Sequence, residues 1–299
     1  MQMAAAQETA TRTLISPARL KRSGARRIYW VLVIVTILLF TFVFLGPLYW
    51  MVTGGLKTGQ EIARVPPTIY PHHPQLSNYV SAWNDLGLGR LLLNTIWYAF
   101  GALAFQLVFD VLAAFAFSKL RPRFGNVVLG LMLATLMIPA TVLIIPQYVT
   151  VIDLPFFHWN MLDSPWVIWL PAVTSAFNIF LLKRFFDSIP EELLQAAAID
   201  GAGPLRTLWS IILPMSRPIL GVVSIFSVTA VWKDFLWPLL VEPGPTTKTV
   251  NVGIYAFAQG LGQNVVIAAA VIAAIPTIIF FLIFQKNIMS GLTVGSLKG

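Results

Sequence analysis

The sequence SIPEELLQAAAIDGAGPLRTLWSIILPMSRP, residues 188–218, is the one long polar stretch between two strongly apolar halves of the chain. Ser188 and Glu191 have the S-x-x-E spacing of a helix-capping box, and Pro190 between them suits a first helical turn. Gly201 predicts the end of that helix, because glycine readily adopts the left-handed conformation that terminates helices. The stretch therefore predicts a helix-turn-helix hairpin, with an ordinary loop between two membrane helices as the alternative.

The same residues resemble the EAA loop of the permeases of ABC importers, which docks onto an ATPase subunit. The resemblance lies in the pattern E-A-A-x-x-x-G followed by I-x-L-P, and it departs from the family at Gln195, where the family has glutamate. It implies that the hairpin keeps the docking shape but lacks any salt bridge which that glutamate would make. By this resemblance, the residues expected to couple the chain to an ATPase are Glu191, Gln195, Ala196, Ala197, Asp200, Gly201, Ala202, Ile212 and Pro214.

The composition is that of an integral membrane protein, since 57% of the 299 residues are hydrophobic and only 11% are charged. The basic residues give a net charge of +8 but lie between apolar stretches, which predicts membrane orientation and no nucleic-acid partner. The absence of cysteine excludes disulfides and thiolate chemistry. The three histidines have no neighbours at ligand spacing, so we predict neither a metal site nor a cofactor on this chain.

Six apolar stretches predict six transmembrane helices, with the hairpin between the fourth and the fifth. The expected segments are a basic cytoplasmic tail (1–27), a first transmembrane helix (28–53), an extracytoplasmic loop (54–89), a permease transmembrane domain (90–285) and a cytoplasmic C-terminal tail (286–299). Within that domain the expected spans are 90–117, 126–149, 164–182, 219–240 and one from about 264 onward. Most of the 20 lysines and arginines then face the cytoplasm, which predicts an all-α, multi-pass protein of the cell membrane with both termini cytoplasmic.

An aromatic segment lies at the predicted outer end of the fifth span, with the sequence Trp232-Lys233-Asp234-Phe235-Leu236-Trp237-Pro238. One interpretation is an interfacial anchor with a snorkelling lysine. The other is the outer mouth of a substrate pathway, where tryptophan faces stack on sugar rings. The pattern also resembles the sugar-permease branch of the family, which usually has asparagine at the position of Lys233. The candidate pathway residues are Asn94, Asn178, Trp232, Asp234 and Trp237.

Asp110 is the one acidic residue in the middle spans. An unpaired carboxylate in hydrocarbon is costly, so we expect it to face the bundle interior and to pair structurally more than to contact substrate. Pro139 and Pro146 should bend the third span. Three further stretches resemble the maltose G-type permeases: Asn78-Tyr79 with Asn94-Thr95, Ile138-Pro139 with Ile145-Pro146-Gln147-Tyr148, and the tail at residues 291–299.

The sequence contains no phosphate-binding G-x-x-x-x-G-K-[S/T] and no nucleophile or metalloprotease motif, so we predict that the chain is not an enzyme. The resemblance implies a second homologous permease, two ATPase subunits that hold ATP and Mg²⁺, and an extracytoplasmic sugar-binding protein. The predicted function is the permease subunit of an ABC importer for a sugar or oligosaccharide. The alternatives are a permease for glycerol phosphate or another small solute, an ion-coupled secondary transporter, and a structural membrane scaffold.

Overall fold

The computed structural model describes residues 23–294, and over this range the chain is helical with no β-strand. Most of the predicted basic tail and residues 295–299 of the predicted C-terminal tail lie outside the described residues. The helices in chain order are α1 (Ser23–Gly55), α2 (Gly59–Ile62), α3 (Ser77–Asp85), α4 (Leu88–Phe115), α5 (Gly125–Thr135), α6 (Ala140–Ile152), α7 (Trp166–Trp169), α8 (Ala176–Asp187), α9 (Glu191–Ile199), α10 (Pro204–Thr207), α11 (Leu213–Met215), α12 (Arg217–Lys233), α13 (Leu236–Val241), α14 (Val250–Phe257) and α15 (Gln263–Val294). Two π-helical turns, Ala116–Leu120 and Leu208–Ile212, extend α4 and α10.

Three of the described helices are long and apolar enough to cross a membrane, over residues 26–55, 88–120 and 263–286. Two helix pairs qualify only as bent spans: α5 with α6, and the residues 204–215 with α12. The described residues therefore contain three to five candidate spans, and the expected all-α membrane architecture is confirmed. Helix length and composition alone do not give the six predicted spans within the described residues.

The third and fourth predicted spans are not continuous helices. Pro139 lacks an N–H group and disfavours a helical residue before it, so α5 ends at Thr135 and α6 leaves it at an angle of 100°. Pro146, by contrast, lies inside α6 without ending it. Near Pro171 the chain is not helical over residues 170–175, which separates the short α7 from α8.

Two other predicted segments differ from the structure in their helix content. The segment 54–89 was expected to be a loop, but it contains α2 and α3. The fifth span was expected to continue to residue 240, but α12 ends at Lys233 because Asp234 is extended, and the chain restarts as α13.

The core of the bundle consists of three clusters of buried side chains, and α12 contributes to two of them. The hairpin-side cluster joins α4, α8, the second π-turn and α12 through Phe115, Leu182, Phe186, Leu208, Ile212 and Val223. The α15-side cluster joins the far end of α12 to α4, α14 and α15 through Leu88, Leu91, Trp232, Val250, Ala268 and Ala269. The α7-side cluster contains Tyr98, Val151, Met161, Val167, Trp169 and Val241. Burial of these apolar groups holds the hairpin and the loops around α7 and α14 against one helical framework.

Candidate functional site

The hairpin at residues 188–218 forms as two short helices, although its start differs from the predicted capping box. Pro190 is the N-cap of α9 and offers no capping side chain. Ser188 still belongs to the end of α8, where its hydroxyl donates to the carbonyl of Phe185 at 2.6 Å. Glu191 instead pairs with Arg121 from the turn between α4 and α5. An ion pair to a neighbouring segment thus replaces the local cap.

The predicted left-handed turn at Gly201 is confirmed, with φ of +75°. The N–H of Ala202 donates to the carbonyl of Ala197 at 2.8 Å, and the N–H of Gly201 donates to that of Ala198 at 3.0 Å. This pair of bonds is a Schellman motif, which satisfies the last carbonyls of α9 and reverses the chain. No described atom lies within 4 Å of the place that a Cβ would take at Gly201, so the turn is open to a partner.

The candidate coupling residues divide between an outward face and an inward face of the hairpin. Ala197 and Ile212 are buried against the permease itself. The outward residues are Glu191, Gln195, Ala196, Asp200, Gly201 and Pro214, with Ala202 half-buried. Beside them three large apolar side chains are more than 60% exposed: Ile199 (86%), Leu205 (63%) and Trp209 (70%). We call these three the hairpin patch.

The turn between α4 and α5 holds the hairpin in place through contacts that the sequence did not predict. The ammonium group of Lys119 donates to the carbonyl of Ile189 at 3.1 Å. The hydroxyl of Ser118 donates to Asp187 at 2.8 Å, at the end of α8. The sequence shows only a cluster of basic residues in this turn. That cluster predicts which side of the membrane the turn faces, but not which residues it contacts.

A cavity of about 400 Å³ lies between α6, the break near Pro171 and the junction of α12 with α13. Two of the five candidate pathway residues, Asp234 and Trp237, line it. Trp237 also donates its indole N–H to the carbonyl of Val167 at 3.0 Å. Thr141 and Gln147 line the cavity from α6 together with Ile144, which lies three positions from each, and the sequence did not predict either of them.

The other three candidate pathway residues make contacts away from this cavity. Trp232 is buried in the α15-side cluster and donates to the carbonyl of Ala273 at 3.3 Å. Asn178 donates to the hydroxyl of Ser227 at 3.3 Å, between α8 and α12. Asn94 donates to the carbonyls of Thr246 and Lys248 at 2.8 and 3.0 Å. In this structure the three side chains join segments to one another, and any contact with substrate stays a prediction.

Asp110 is fully buried and accepts hydrogen bonds at the break that precedes α8. One carboxylate oxygen accepts from the hydroxyl of Thr174 and from the N–H of Ser175, both at 3.0 Å. These groups lie at the N-terminus of α8, where a negative charge is favourable. The predicted structural pairing of Asp110 is confirmed, because the carboxylate stabilises an interrupted helix inside the bundle.

The loop after α13 is held by tertiary contacts and contains a buried acid. Asp163 accepts from the N–H of Gly244 and the hydroxyl of Thr247, at 2.7 and 2.6 Å. Glu242 is fully buried, and neither of its carboxylate oxygens makes a hydrogen bond of standard geometry with a described residue, although the side chains of Tyr98 and Thr247 lie near it. Burial, with a further contribution from the Asp163 carboxylate, raises the pKa of Glu242 to about 8.

Residues 108–293 match the family described as "Binding-protein-dependent transport system inner membrane component". The chain belongs to this family. The predicted resemblance to ABC importer permeases is therefore confirmed, and the protein is a multi-pass inner-membrane permease. The matched region contains the hairpin and the cavity described above.

Named relatives of this permease cover most of both chains. It is 33% identical to the sulfoquinovosyl glycerol transport system permease protein SmoH of Agrobacterium fabrum, over 85% of this chain and 89% of the relative. It is 30% identical to the sn-glycerol-3-phosphate transport system permease protein UgpE of Yersinia pestis, over 88% and 94%. A solved structure of a bacterial ABC transporter involved in the import of the acidic polysaccharide alginate aligns with a TM-score of 0.77 and 25% identity, over 89% of this chain and 98% of that one.

Proposed function

We propose that this permease is one transmembrane subunit of an ATP-driven importer for a sugar or oligosaccharide. An extracytoplasmic binding protein delivers the substrate, a second homologous permease completes the pathway, and two ATPase subunits supply ATP and Mg²⁺. The observation that carries the proposal is the family match, which contains both a hairpin with an exposed apolar patch and a cavity lined by tryptophan. The binding protein is further supported by the alginate transporter, which was also solved in complex with a periplasmic protein bound to an alginate pentasaccharide.

The proposed topology has six spans, of which three are interrupted. α1, α4 and α15 cross alone, while α5 with α6, α7 with α8, and α12 with α13 each form one broken crossing. Both termini and the hairpin then lie in the cytoplasm, in agreement with the distribution of lysine and arginine. Broken helices are tolerated at membrane depth where the freed backbone groups are buried in protein, as they are at Asp110.

Single cysteines test this topology in a chain that has none of its own. Cysteines at His158 and Thr246 should react with impermeant thiol reagents on whole cells, whereas a cysteine at Gln195 should react only after the membrane is opened. Labelling of position 195 from outside would contradict the six-span arrangement.

The hairpin patch is the proposed contact for the ATPase. Three exposed apolar side chains beside Gly201, on a segment that the topology places in water, mark a protein interface. Closure of the ATPase dimer on ATP would then push α9. Because the hairpin is bound to α8 and to the α4–α5 turn, that movement would pass into the bundle and change which side of the cavity is open.

The lining of the cavity favours a neutral sugar over a phosphate ester. Trp237 offers a ring face for stacking, and none of the described residues that line the cavity is lysine or arginine. A phosphate dianion is usually recognised by charge-assisted hydrogen bonds from such residues. Glycerol phosphate is the second candidate, because the similarity to UgpE covers nearly the whole of both chains.

Reconstitution with its partners tests the function directly. The permease pair, the ATPase and the binding protein are purified and reconstituted together in liposomes. Sugar uptake should then require both the binding protein and ATP on the side of the membrane that holds the ATPase. The permease alone should neither hydrolyse ATP nor transport. Uptake of glycerol phosphate but of no sugar would establish the second candidate, and uptake on an ion gradient without ATPase would contradict both.

A further inference from the structure

A second, polar cavity of about 380 Å³ lies between the α4–α5 turn and the end of α8. Its size is within the range of small-ligand sites, about 300–1,000 Å³. It is separate from the transport cavity and opens at the end of the bundle that carries the hairpin. The polar residues in its lining are Ser118, Arg121, Arg123, Asn126, Lys183 and Asp187.

The cavity has more positive than negative groups. Asp187 is already bonded to Lys183 at 2.7 Å and to Ser118, and Arg121 is paired with Glu191. Arg123, by contrast, makes no hydrogen bond or ion pair with any residue in the described range 23–294. Four cations, counting Lys119 beside the cavity, thus stand against two carboxylates, and one guanidinium is available to an anion.

Exposed apolar side chains adjoin, in the sequence, the residues that line this polar cavity. Leu120, Phe124 and Val127 are each more than half exposed on the same turn and at the start of α5. Apolar neighbours contribute nothing to the binding of a soluble anion. A phospholipid, by contrast, places its phosphate among cations and its acyl chains against apolar side chains. The combination points to a lipid ligand.

We propose that this cavity binds the phosphate of an anionic phospholipid, with Arg123 as its principal ligand. The proposal rests on the proposed function only in the topology, which places the cavity at the cytoplasmic surface of the membrane. Guanidinium groups suit phosphate because they donate two parallel hydrogen bonds. The bound headgroup lies next to Arg121 and Lys119, which hold the start of α9, so anionic lipid would also steady the hairpin.

The test compares Arg123→Gln with Arg64→Gln in the assembled transporter. Arg64 is another exposed arginine with no side-chain partner among the described residues, but the topology places it on the opposite side of the membrane. Binding of phosphatidylglycerol and of phosphatidylcholine is measured by native mass spectrometry. We expect Arg123→Gln to weaken phosphatidylglycerol binding about fivefold, the effect of one basic side chain near an anionic membrane, with no change for phosphatidylcholine. Arg64→Gln should bind both lipids like the wild type.

Three results separate the possible outcomes. Equal binding of phosphatidylglycerol by wild type and Arg123→Gln overturns the proposal. Inorganic phosphate is added at millimolar concentration as a competitor for the same arginine. If it displaces phosphatidylglycerol from the wild type, the site binds soluble anions and the lipid assignment is overturned. Substrate uptake is measured in parallel in liposomes that contain phosphatidylglycerol; loss of transport by the wild type there would count against the proposed function and not against the lipid site.

Discussion

The hairpin at residues 188–218 and the outer segment at residues 232–249 differ in what determines their conformation. In the hairpin, the turn at Gly201 follows from residues within five positions of it. In the outer segment, Trp232 and Trp237 donate to carbonyls at Ala273 and Val167, more than forty positions away. The two tryptophans are close in sequence and belong to different clusters. Local chemistry predicts the hairpin, whereas only tertiary packing assigns roles in the outer segment.

Among the substitutions that test this contrast, Gly201→Leu should reduce sugar uptake the most. At a φ of +75°, a side chain costs about 1–2 kcal/mol, which a helical bundle tolerates. A Cβ added at Gly201 has open space around it, so insertion and membrane level should stay near normal. The leucine would instead project from the proposed ATPase contact. We expect sugar uptake to fall below detection and the ATPase to be lost on co-purification.

Gly260→Leu is the matched control for that experiment. Gly260 also has positive φ (+91°) and open space around an added Cβ, but it lies on the proposed outer side. Its leucine variant should keep the ATPase on co-purification. Gly201→Asn, which tolerates the left-handed conformation, should be less impaired than Gly201→Leu. Normal uptake by the Gly201→Leu permease would show that the hairpin is an ordinary loop.

The same contrast explains how much of the fold the sequence could predict. Composition and apolar stretches predicted an all-α membrane protein, and Gly201 predicted the hairpin turn. Pro139 and Pro146 look alike in the sequence, yet only Pro139 interrupts a helix. Whether a proline breaks a membrane helix depends on whether neighbours satisfy the freed backbone groups, and those neighbours are known only in the folded chain.

Site residues show the same division between local and tertiary signals. The outward position of Gln195 and Gly201 follows from the local geometry of the hairpin. The pairing of Glu191 with Arg121 joins residues 70 positions apart, and it displaced the predicted capping box. Thr141 and Gln147 line the cavity with Ile144, but no pattern in the sequence places this part of α6 opposite Trp237.

Alanine substitution of the two tryptophans in the outer segment should cause two different defects, one in protein amount and one in uptake. Trp232→Ala removes a buried ring and should cost about 3–5 kcal/mol, so the amount of protein in the membrane should drop sharply. Trp237→Ala should leave that amount near normal. Its uptake should fall about two- to tenfold if the ring stacks on sugar with about 0.5–1.5 kcal/mol. Quantitative blots and initial uptake rates measure the two effects.

Phenylalanine at each position serves as the control for the tryptophan pair. Trp237→Phe keeps a stacking face but loses the bond to Val167, so its uptake should exceed that of Trp237→Ala. Equal loss of protein for both alanine variants would instead favour an interfacial anchor for the whole segment.

The buried acid of the outer segment predicts a smaller effect that depends on pH. The folded protein holds the proton of Glu242 up to about pH 8, whereas the unfolded chain releases it near pH 4.5. Between these values the folded state binds more protons, so stability should decrease as pH rises, by at most about 1.4 kcal/mol per pH unit. Glu242→Gln removes this term and should raise the apparent Tm by a few degrees at pH 8, with little change near pH 4.5.

The pH experiment needs an acid that is not buried as its control. Glu192 in the hairpin is exposed, so Glu192→Gln should keep the pH dependence of the wild type. Thermal unfolding in detergent across this pH range provides the measurement. A Glu242→Gln profile that parallels the wild type would mean that another group causes the decrease.

Glu191→Gln should have the smallest effect on stability, and for that reason it is informative about coupling. Glu191 and Arg121 are each more than half exposed, and such pairs contribute about 0.2–1 kcal/mol. If Glu191 only anchors the start of α9, then Glu191→Gln and Arg121→Gln should each lower uptake slightly, and the double variant should do no worse than either. If Glu191 also contacts the ATPase, Glu191→Gln alone should reduce ATPase co-purification, while Arg121→Gln keeps it. The double-mutant cycle on uptake and co-purification therefore decides whether this glutamate belongs to the locally determined hairpin or, like the outer tryptophans, takes its role from a distant contact.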